Sequence, residues 1–157
     1  IKTFGSVDTT TLAQWEPVDA EVLAFTSLLQ SPSQAFVVSE LRIRETASSA
    51  ANIKKNDIYV HLYTESAPTT PTEGEVYNPS VTNHIGIVSV ATADYKRLSD
   101  TVWEAVVHPN LHCVGSTAAS GVDVYAVALF SGATPSQYAA SAQIAIQITV
   151  EGSRVQS

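Results

Sequence analysis

The chain has 157 residues, of which 45% are hydrophobic and 15% are charged. At this length one domain can bury roughly 70% of the surface that its unfolded chain exposes. The formal net charge of −7 comes with no basic stripe that could neutralise phosphates, so we expect no nucleic-acid binding. No apolar run approaches the about 18 residues of a membrane span, so we expect no membrane contact.

Residues 1–33 differ from the rest and are predicted to form an N-terminal arm or edge segment, packed on the core or on a neighbouring subunit. Asp8 is a possible helix N-cap, but Pro17 would interrupt that helix. Trp15 is expected to plug the end of the domain or to lie on a neighbouring subunit. Residues 21–29 (EVLAFTSLL) fit a strand or a short helix, and their alternation favours a strand.

Residues 34–157 are predicted to form a β-sandwich domain. Apolar and polar side chains alternate in several segments, most clearly in residues 142–150 (AQIAIQITV), and period two is typical of a strand with one buried face. The predicted strands are residues 34–46, 57–65, 84–92, 101–111, 122–131 and 142–152.

Two of these strands carry more specific expectations. Residues 34–46 are predicted to place Val37, Leu41 and Ile43 inward, opposite Glu40, Arg42 and Arg44. Residues 57–65 (DIYVHLYTE) have bulky side chains on both faces, which indicates a central strand with one face in the core and one partly covered.

The connecting segments contain turn residues and no long helix. Residues 66–83 form the longest irregular segment, and loops of this length are often partner contacts. One helical turn is predicted at residues 94–97 and a turn region at residues 115–121. Seven or eight strands without helical crossovers predict an all-β fold, an antiparallel, jelly-roll-like β-sandwich.

The sequence gives little support for a catalytic or metal site. We expect that the protein is not an enzyme and binds neither a cofactor nor a metal. His108, His112 and Cys113 are close in sequence, but in an extended chain the two histidines lie about 13 Å apart, too far for one ion. Cys113 is the single cysteine, so no internal disulfide forms and the core alone must supply stability. Neither a GxSxG elbow nor a glycine-rich phosphate loop occurs.

The carboxylates and aromatic residues allow further alternatives. Glu73 with Glu75, or Asp94 with Asp100, could be a glycosidase pair, although solvated loop charges are the favoured interpretation. Asp57 and Asp123, together with Glu73 and Glu75, are candidates for binding calcium, but the spacing of a calcium loop is absent. The aromatic residues could form a sugar-binding face, above all Tyr59, Tyr63 and Tyr77, and with them Tyr95, Trp103 and Tyr125. Cross-strand packing of these rings under a covering loop is the favoured alternative.

The order of motifs resembles that of a group of tailed-bacteriophage virion proteins. These have a strand ending in HLY or HLF, an Ala-Pro loop, an lGtV-like strand, a penultimate apolar strand and a last alternating strand. The matching segments here are Val60-His61-Leu62-Tyr63, Ala67-Pro68, Ile85-Gly86-Ile87-Val88, residues 126–138 and residues 144–151.

The resemblance implies a non-enzymatic capsid-decoration or tail-associated structural protein. It implies binding to the major capsid protein or a tail protein, and self-association as a homo-oligomer such as a trimer. The expected location is the virion, after synthesis in the host cytoplasm. The alternative is a carbohydrate- or receptor-binding jelly-roll module of a phage fibre.

Overall fold

The computed structural model describes residues 1–4, 7–29, 35–64, 66–113 and 122–152, and its regular structure consists almost entirely of β-strands. The predicted all-β class is thus confirmed. Within the described residues no helix is long and apolar enough to cross a membrane. The strands are β1 (Lys2–Thr3), β2 (Thr11–Leu12), β3 (Leu23–Phe25), β4 (Phe36–Thr46), β5 (Ile58–Thr64), β6 (His84–Val90), β7 (Tyr95–Ser99), β8 (Val102–Val107), β9 (Leu111–Cys113), β10 (Val124–Phe130), β11 (Ser136–Gln137) and β12 (Gln143–Gly152).

The strands form two packed antiparallel sheets with the order of a jelly roll. The large sheet runs β1-β12-β4-β8-β7, with β9 also beside β4, and the small sheet runs β3-β10-β5-β6. When β1, β3, β4, β5, β6, β8, β10 and β12 are counted in chain order, the sheets read 1-8-3-6 and 2-7-4-5. This is the double Greek key of a jelly roll, as the strand pattern predicted. A short β2–β11 ribbon lies outside both sheets.

The core lies between the two sheets and follows the alternation of the sequence. On β12, Ile144, Ile146 and Ile148 are buried, and Ile146 lies opposite Ile43 of β4. The N-terminal segment adds Phe4 and other apolar side chains to the same cluster, and β1 and β3 are edge strands of the two sheets. The predicted boundary at residue 33 falls in residues 30–34, outside the described residues, and stays a prediction.

The inward face of β4 differs from the prediction at one residue. Leu41 and Ile43 are buried as expected, whereas Val37 is only half-buried and its neighbours Phe36 and Val38 are buried. The reason is a β-bulge, since Thr149 of β12 lies opposite Glu40 but the next residue, Val150, lies opposite Val38. The extra residue between these pairs reverses the alternation along the strand.

The possible helix N-cap at Asp8 does not begin a helix, and the helical turn predicted at residues 94–97 is wrong. Residues 8–18 contain no helix, and instead Asp8 Oδ1 accepts hydrogen bonds from the backbone N–H and the hydroxyl of Thr10, both at 2.7 Å, in a tight turn. Residues 94–97 do not form a helical turn, since a 3-10 turn ends at Asp94 and β7 begins at Tyr95. Strand formation within residues 21–29 is confirmed by β3. The predicted turn at residues 115–121 lies outside the described residues.

Candidate functional site

The histidines and the cysteine singled out in the sequence lie around the junction of β8 and β9. His108 follows β8, and its Nδ1 is 3.3 Å from the carbonyl oxygen of Ser39. His112 is exposed on β9, while Cys113 is half-buried and burial raises the pKa of its thiol to about 11. Throughout the described ranges, no three His, Cys, Asp or Glu side chains come close enough to hold a metal ion.

The carboxylates considered as glycosidase or calcium-binding candidates lie in turns and loops. Asp94 Oδ2 accepts a hydrogen bond from the Ala91 N–H at 2.8 Å, and Asp100 pairs with Arg97. Asp57 and Asp123 both accept hydrogen bonds from backbone N–H groups across loops, from Thr92 at 2.6 Å and from Ser27 at 2.8 Å. Glu73 and Glu75 are exposed on the long loop, so the favoured interpretation of solvated loop charges fits the positions of these two.

The aromatic residues do not form an exposed platform. Tyr63 and Tyr77 are buried, and Tyr59 is half-buried with the Trp15 ring centroid 5.1 Å from its own. Trp15 thus lies on the outer face of the small sheet rather than at the end of the sandwich. The hypothesis of a tyrosine sugar-binding face is therefore wrong for this conformation, and packing under a covering loop is what occurs.

The outer face of the small sheet is a second apolar core. Tyr63 of β5 and Val127 and Leu129 of β10 pack with Tyr77 from the loop of residues 66–83. We call this cluster the covered face. It confirms the prediction that one side of β5 lies in the main core and the other under a cover.

Backbone hydrogen bonds attach two covering segments to this face. The Trp15 N–H donates to the Phe130 carbonyl at 2.7 Å, and the Tyr77 N–H donates to the Trp15 carbonyl at 3.1 Å. The Val18 N–H donates to the Ala128 carbonyl at 2.9 Å, so the N-terminal segment lies along β10. Trp15 has a left-handed backbone with φ 73°, a conformation that bulky residues rarely adopt. Its neighbours therefore hold it in a strained geometry at the point where the two covers meet.

A directly interacting histidine pair lies at the rim of the covered face. His61 Nδ1 is 3.1 Å from His84 Nε2, and the Tyr63 and His84 rings make a T-shaped contact with centroids 5.1 Å apart. His61 is only 5% exposed. Burial, and then the neighbouring His84, lower the pKa of His61 to about 4, and burial also lowers the pKa of His84. Sequence reasoning missed this pair because its members lie on different strands, 23 residues apart.

Inside the sandwich, the large sheet carries a buried carboxylate, that of Glu45. Glu45 of β4 has no exposed surface, and its two oxygens accept hydrogen bonds from the backbone N–H groups of Lys54 and Lys55, at 2.7 and 2.8 Å. These bonds favour the charged form, but burial outweighs them and raises the pKa of Glu45. The carboxylate thus anchors the loop between β4 and β5 to the core.

We expect Glu45→Gln to lower the free energy of unfolding at pH 7 by about 1–2 kcal/mol, because an amide offers one acceptor oxygen to two backbone donors. Urea denaturation measures this change. Glu40→Gln is the matched control, since Glu40 lies on the same strand, is half-exposed and pairs with Arg42. A surface pair of this kind contributes little, so the free energy of unfolding of the control should stay close to that of the wild type. Equal losses in the two variants would contradict the anchoring role.

The strand β6 has one side without a described partner. The Thr64 N–H donates to the Asn83 carbonyl at 2.9 Å, so the even-numbered residues of β5 make the ladder bonds toward β6. In β6, the residues bonded to β5 alternate with Ile87 and Ser89. The backbone N–H and C=O groups of Ile87 and Ser89 therefore point away from β5. The β6 residues bonded to β5 are Gly86, Val88 and Val90. Among the described strands none pairs with that other side, which we call the free edge.

Comparisons with known proteins add little. No protein-family model matches the chain, and no curated protein matches it. One similar solved structure is titled "Structure of a marine algae virus of the order Picornavirales". It is 11% identical, the match covers 88% of this chain and 70% of that chain, and the TM-score is 0.19. A likeness of this degree does not establish a common fold.

Proposed function

We propose that this chain is a non-enzymatic structural protein of a tailed-phage virion. It binds the capsid surface or a tail component, acts as a homo-oligomer and contributes contact surface rather than chemistry. The resemblance of its motifs to phage virion proteins supports this role, and those motifs include the end of β5, the loop after it and β6. The jelly roll is compatible with the role, since viral capsid domains, lectins and cupins all use it.

The observation that carries the proposal is a set of exposed apolar side chains on the long loop and on β6. Val76 and Val81 on the long loop are 56% and 90% exposed, and Ile87 on β6 is 46% exposed. Burying such side chains against a partner is favourable, and a free strand edge can accept a further strand. We call residues 76–89 the attachment stretch.

The character of this stretch predicts how the protein is held. Apolar burial and backbone pairing are weakly screened by salt, whereas ion pairs between exposed charges are strongly screened. The chain should therefore remain attached in high salt or in a chelator, and denaturant should release it.

The test uses purified virions of the virus that encodes the chain. We expect the chain to be present in a fixed ratio to the major capsid protein, to be retained in about 1 M NaCl and in EDTA, and to be released by guanidinium. Virions that contain no copy of the chain would overturn the proposal.

Variants locate the contact on particles that lack the native chain. The double variant Val76→Asp, Val81→Asp should bind such particles about tenfold more weakly than the wild type, because each change places a charge in a buried contact. Leu98→Asp is the matched control, since Leu98 is 57% exposed on β7, outside the attachment stretch. Equal binding by the double variant and the control would show that the attachment stretch is not the contact.

A further inference from the structure

Two imidazole rings meet where the ladder between β5 and β6 is interrupted. His61 lies on β5, and His84 is the first residue of β6. The bulge after Leu62 places Tyr63 opposite His84, so the two histidines are diagonal neighbours on the outer face of the small sheet. Their ring centroids are 5.3 Å apart, and His61 Nδ1 faces His84 Nε2. Imidazole nitrogens are the commonest side-chain ligands of metal ions in proteins.

The separation of these two nitrogens fits two ligands of one metal ion. Bonds from a metal to histidine nitrogen are about 2.0–2.1 Å long, and two such bonds that enclose about 100° end about 3.1 Å apart. The distance between His61 Nδ1 and His84 Nε2 is 3.1 Å. An angle of about 100° lies between those of square-planar and tetrahedral coordination, the geometries that Cu²⁺, Ni²⁺ and Zn²⁺ adopt. A small turn of the rings would aim both lone pairs at one ion.

The surroundings allow an ion to reach the pair. His61 is buried, but His84 is half-buried and follows the exposed residues Val81 and Thr82 along the chain, so the pair is open to solvent on the side of His84. The net charge of −7 attracts cations to the protein. Histidine is mostly neutral at pH 7 even at its ordinary pKa of about 6.5, and a metal ligand must be unprotonated at the nitrogen that binds.

We propose that His61 and His84 bind one transition-metal ion of the class of Zn²⁺, Ni²⁺ and Cu²⁺, through Nδ1 and Nε2. Water fills the other coordination positions, since no third His, Cys, Asp or Glu side chain joins the pair in the described part of the chain. The proton that one of the two facing nitrogens carries moves to the other nitrogen of its own ring, so both rings stay neutral. The proposal goes beyond the proposed function and does not depend on it.

The ligand atoms determine which ions bind. Two imidazole nitrogens suit Zn²⁺, Ni²⁺ and Cu²⁺, whereas Mg²⁺ and Ca²⁺ take oxygen ligands. Among the first three, Cu²⁺ should bind most tightly, because affinity at a given site rises to Cu²⁺ and falls again at Zn²⁺. The bound ion joins β5 to β6 beside Tyr63 of the covered face. We therefore expect it to raise the melting temperature of the protein in proportion to its occupancy.

Titration with the metal salts alone tests the site, on a chain without a histidine tag. Calorimetry at pH 7 should give one Zn²⁺ per chain, tighter binding of Cu²⁺ and no binding of Mg²⁺. In NMR spectra, Zn²⁺ should shift the ring signals of His61 and His84 and leave those of His108 and His112 unchanged. Shifts confined to His108 and His112, or no binding of either Zn²⁺ or Cu²⁺, would overturn the proposal.

Variants assign the two ligands. His61→Gln and His84→Gln should each weaken Zn²⁺ binding at least about tenfold, a loss that even the removal of an outer-shell partner can cause. His108→Gln and His112→Gln are the matched controls, since they remove exposed histidines outside the pair. Circular dichroism shows whether each variant is folded, and the half-buried His84 provides the test if His61→Gln does not fold. Equal Zn²⁺ affinity in His84→Gln and in the controls would show that the pair is not the site.

Thermal unfolding gives a second readout that does not depend on measuring affinity. Zn²⁺ should raise the melting temperature of the wild type and of the two controls, EDTA should reverse the rise, and His84→Gln should show none. A rise of the same size in His84→Gln would place the ion elsewhere and overturn the proposal. Attachment to virions is expected to survive EDTA, so loss of the ion and loss of attachment are separate results.

Discussion

Replacing Ile146 with alanine is expected to lower the free energy of unfolding by about 2–5 kcal/mol. Ile146 is fully buried between the sheets, opposite Ile43 on one side and beside β1 on the other. The truncation removes the transfer free energy of the lost carbons and leaves a cavity that strands held in two ladders cannot close. Urea denaturation followed by tryptophan fluorescence and circular dichroism measures the change.

Two control variants separate this cavity effect from an effect on the strand itself. Gln147→Ala changes the adjacent, outward-facing residue opposite Arg42 and should stay within about 0.5 kcal/mol of the wild type. Ile146→Val removes one carbon and should cost about 0.5–1.5 kcal/mol. Losses of the same size at Ile146 and Gln147 would contradict the sidedness of β12 on which the sandwich depends.

The alternation that places Ile146 inward is also the part of the fold that was most predictable. Period two is a local property of a strand, so the buried face of β12 can be read without knowing its neighbours. The buried face is predicted wrongly where an extra residue interrupts the period, as at the bulge that turns Val37 outward. It also fails for β1 and β2, because two residues are too few to show a period.

The strand β7 shows a different limit. Residues 95–97 belong to the predicted helical turn at residues 94–97, yet they form the start of β7, in which Tyr95 is the one buried side chain. Its pairing with β8 and the burial of Tyr95 determine the conformation, and both are tertiary contacts. Local propensity is commonly overridden in this way.

The histidine pair depends on register, which sequence reasoning could not supply. In a regular β5–β6 ladder Tyr63 would lie opposite Ile85, because Leu62 lies opposite Gly86. The bulge instead places Tyr63 opposite His84, which brings His84 to the outer face beside His61. A shift of one residue changes the face of every side chain beyond it, so no pattern in either strand alone reveals the contact.

The free edge could have been found from the sequence only in part. The absence of charge in residues 84–90 is visible in the sequence and distinguishes this strand from the one at residues 95–99. That β6 lies at the end of the small sheet follows from the strand order, which the sequence did not establish. The covered face was half-visible in the same way, since the bulky residues on both sides of β5 predicted a cover but not which segments form it.

Lowering the pH from 7 to 4 is expected to remove about 3 kcal/mol of stability through His61 alone. The pKa of His61 is lowered to about 4 in the folded protein, from about 6.5 in the unfolded chain, chiefly by burial and then by His84. One pKa unit corresponds to about 1.4 kcal/mol. Between pH 6.5 and pH 4 the unfolded chain binds the proton more tightly than the folded protein does. The contribution of His61 to the free energy of unfolding is therefore fully present above about pH 6.5 and is lost as the pH falls toward 4.

Among the residues that the structure describes, burial and His84 account for the lowered pKa of His61, and no carboxylate acts on it. The neighbouring titratable groups on the covered face are Tyr63 and Tyr77, and burial raises the pKa of both, so they stay neutral throughout this range. A proton on His61 would therefore be buried beside a second histidine without a counter-ion. The pair joins β5 to β6 next to the cover, so we expect acid to loosen the loop of residues 66–83 before the main core.

The contribution of His61 to the pH dependence of stability is isolated by comparing variants, because carboxylates elsewhere also titrate near pH 4. His61→Gln should unfold with a shallower pH dependence, losing about 3 kcal/mol less than the wild type between pH 7 and 4. His112→Gln is the matched control, since it removes an exposed histidine of β9 far from the covered face in sequence. Histidine NMR titration measures the pKa directly. An ordinary pKa near 6.5 for His61, or equal pH slopes in both variants, would contradict its burial in the covered face and the register that places it there.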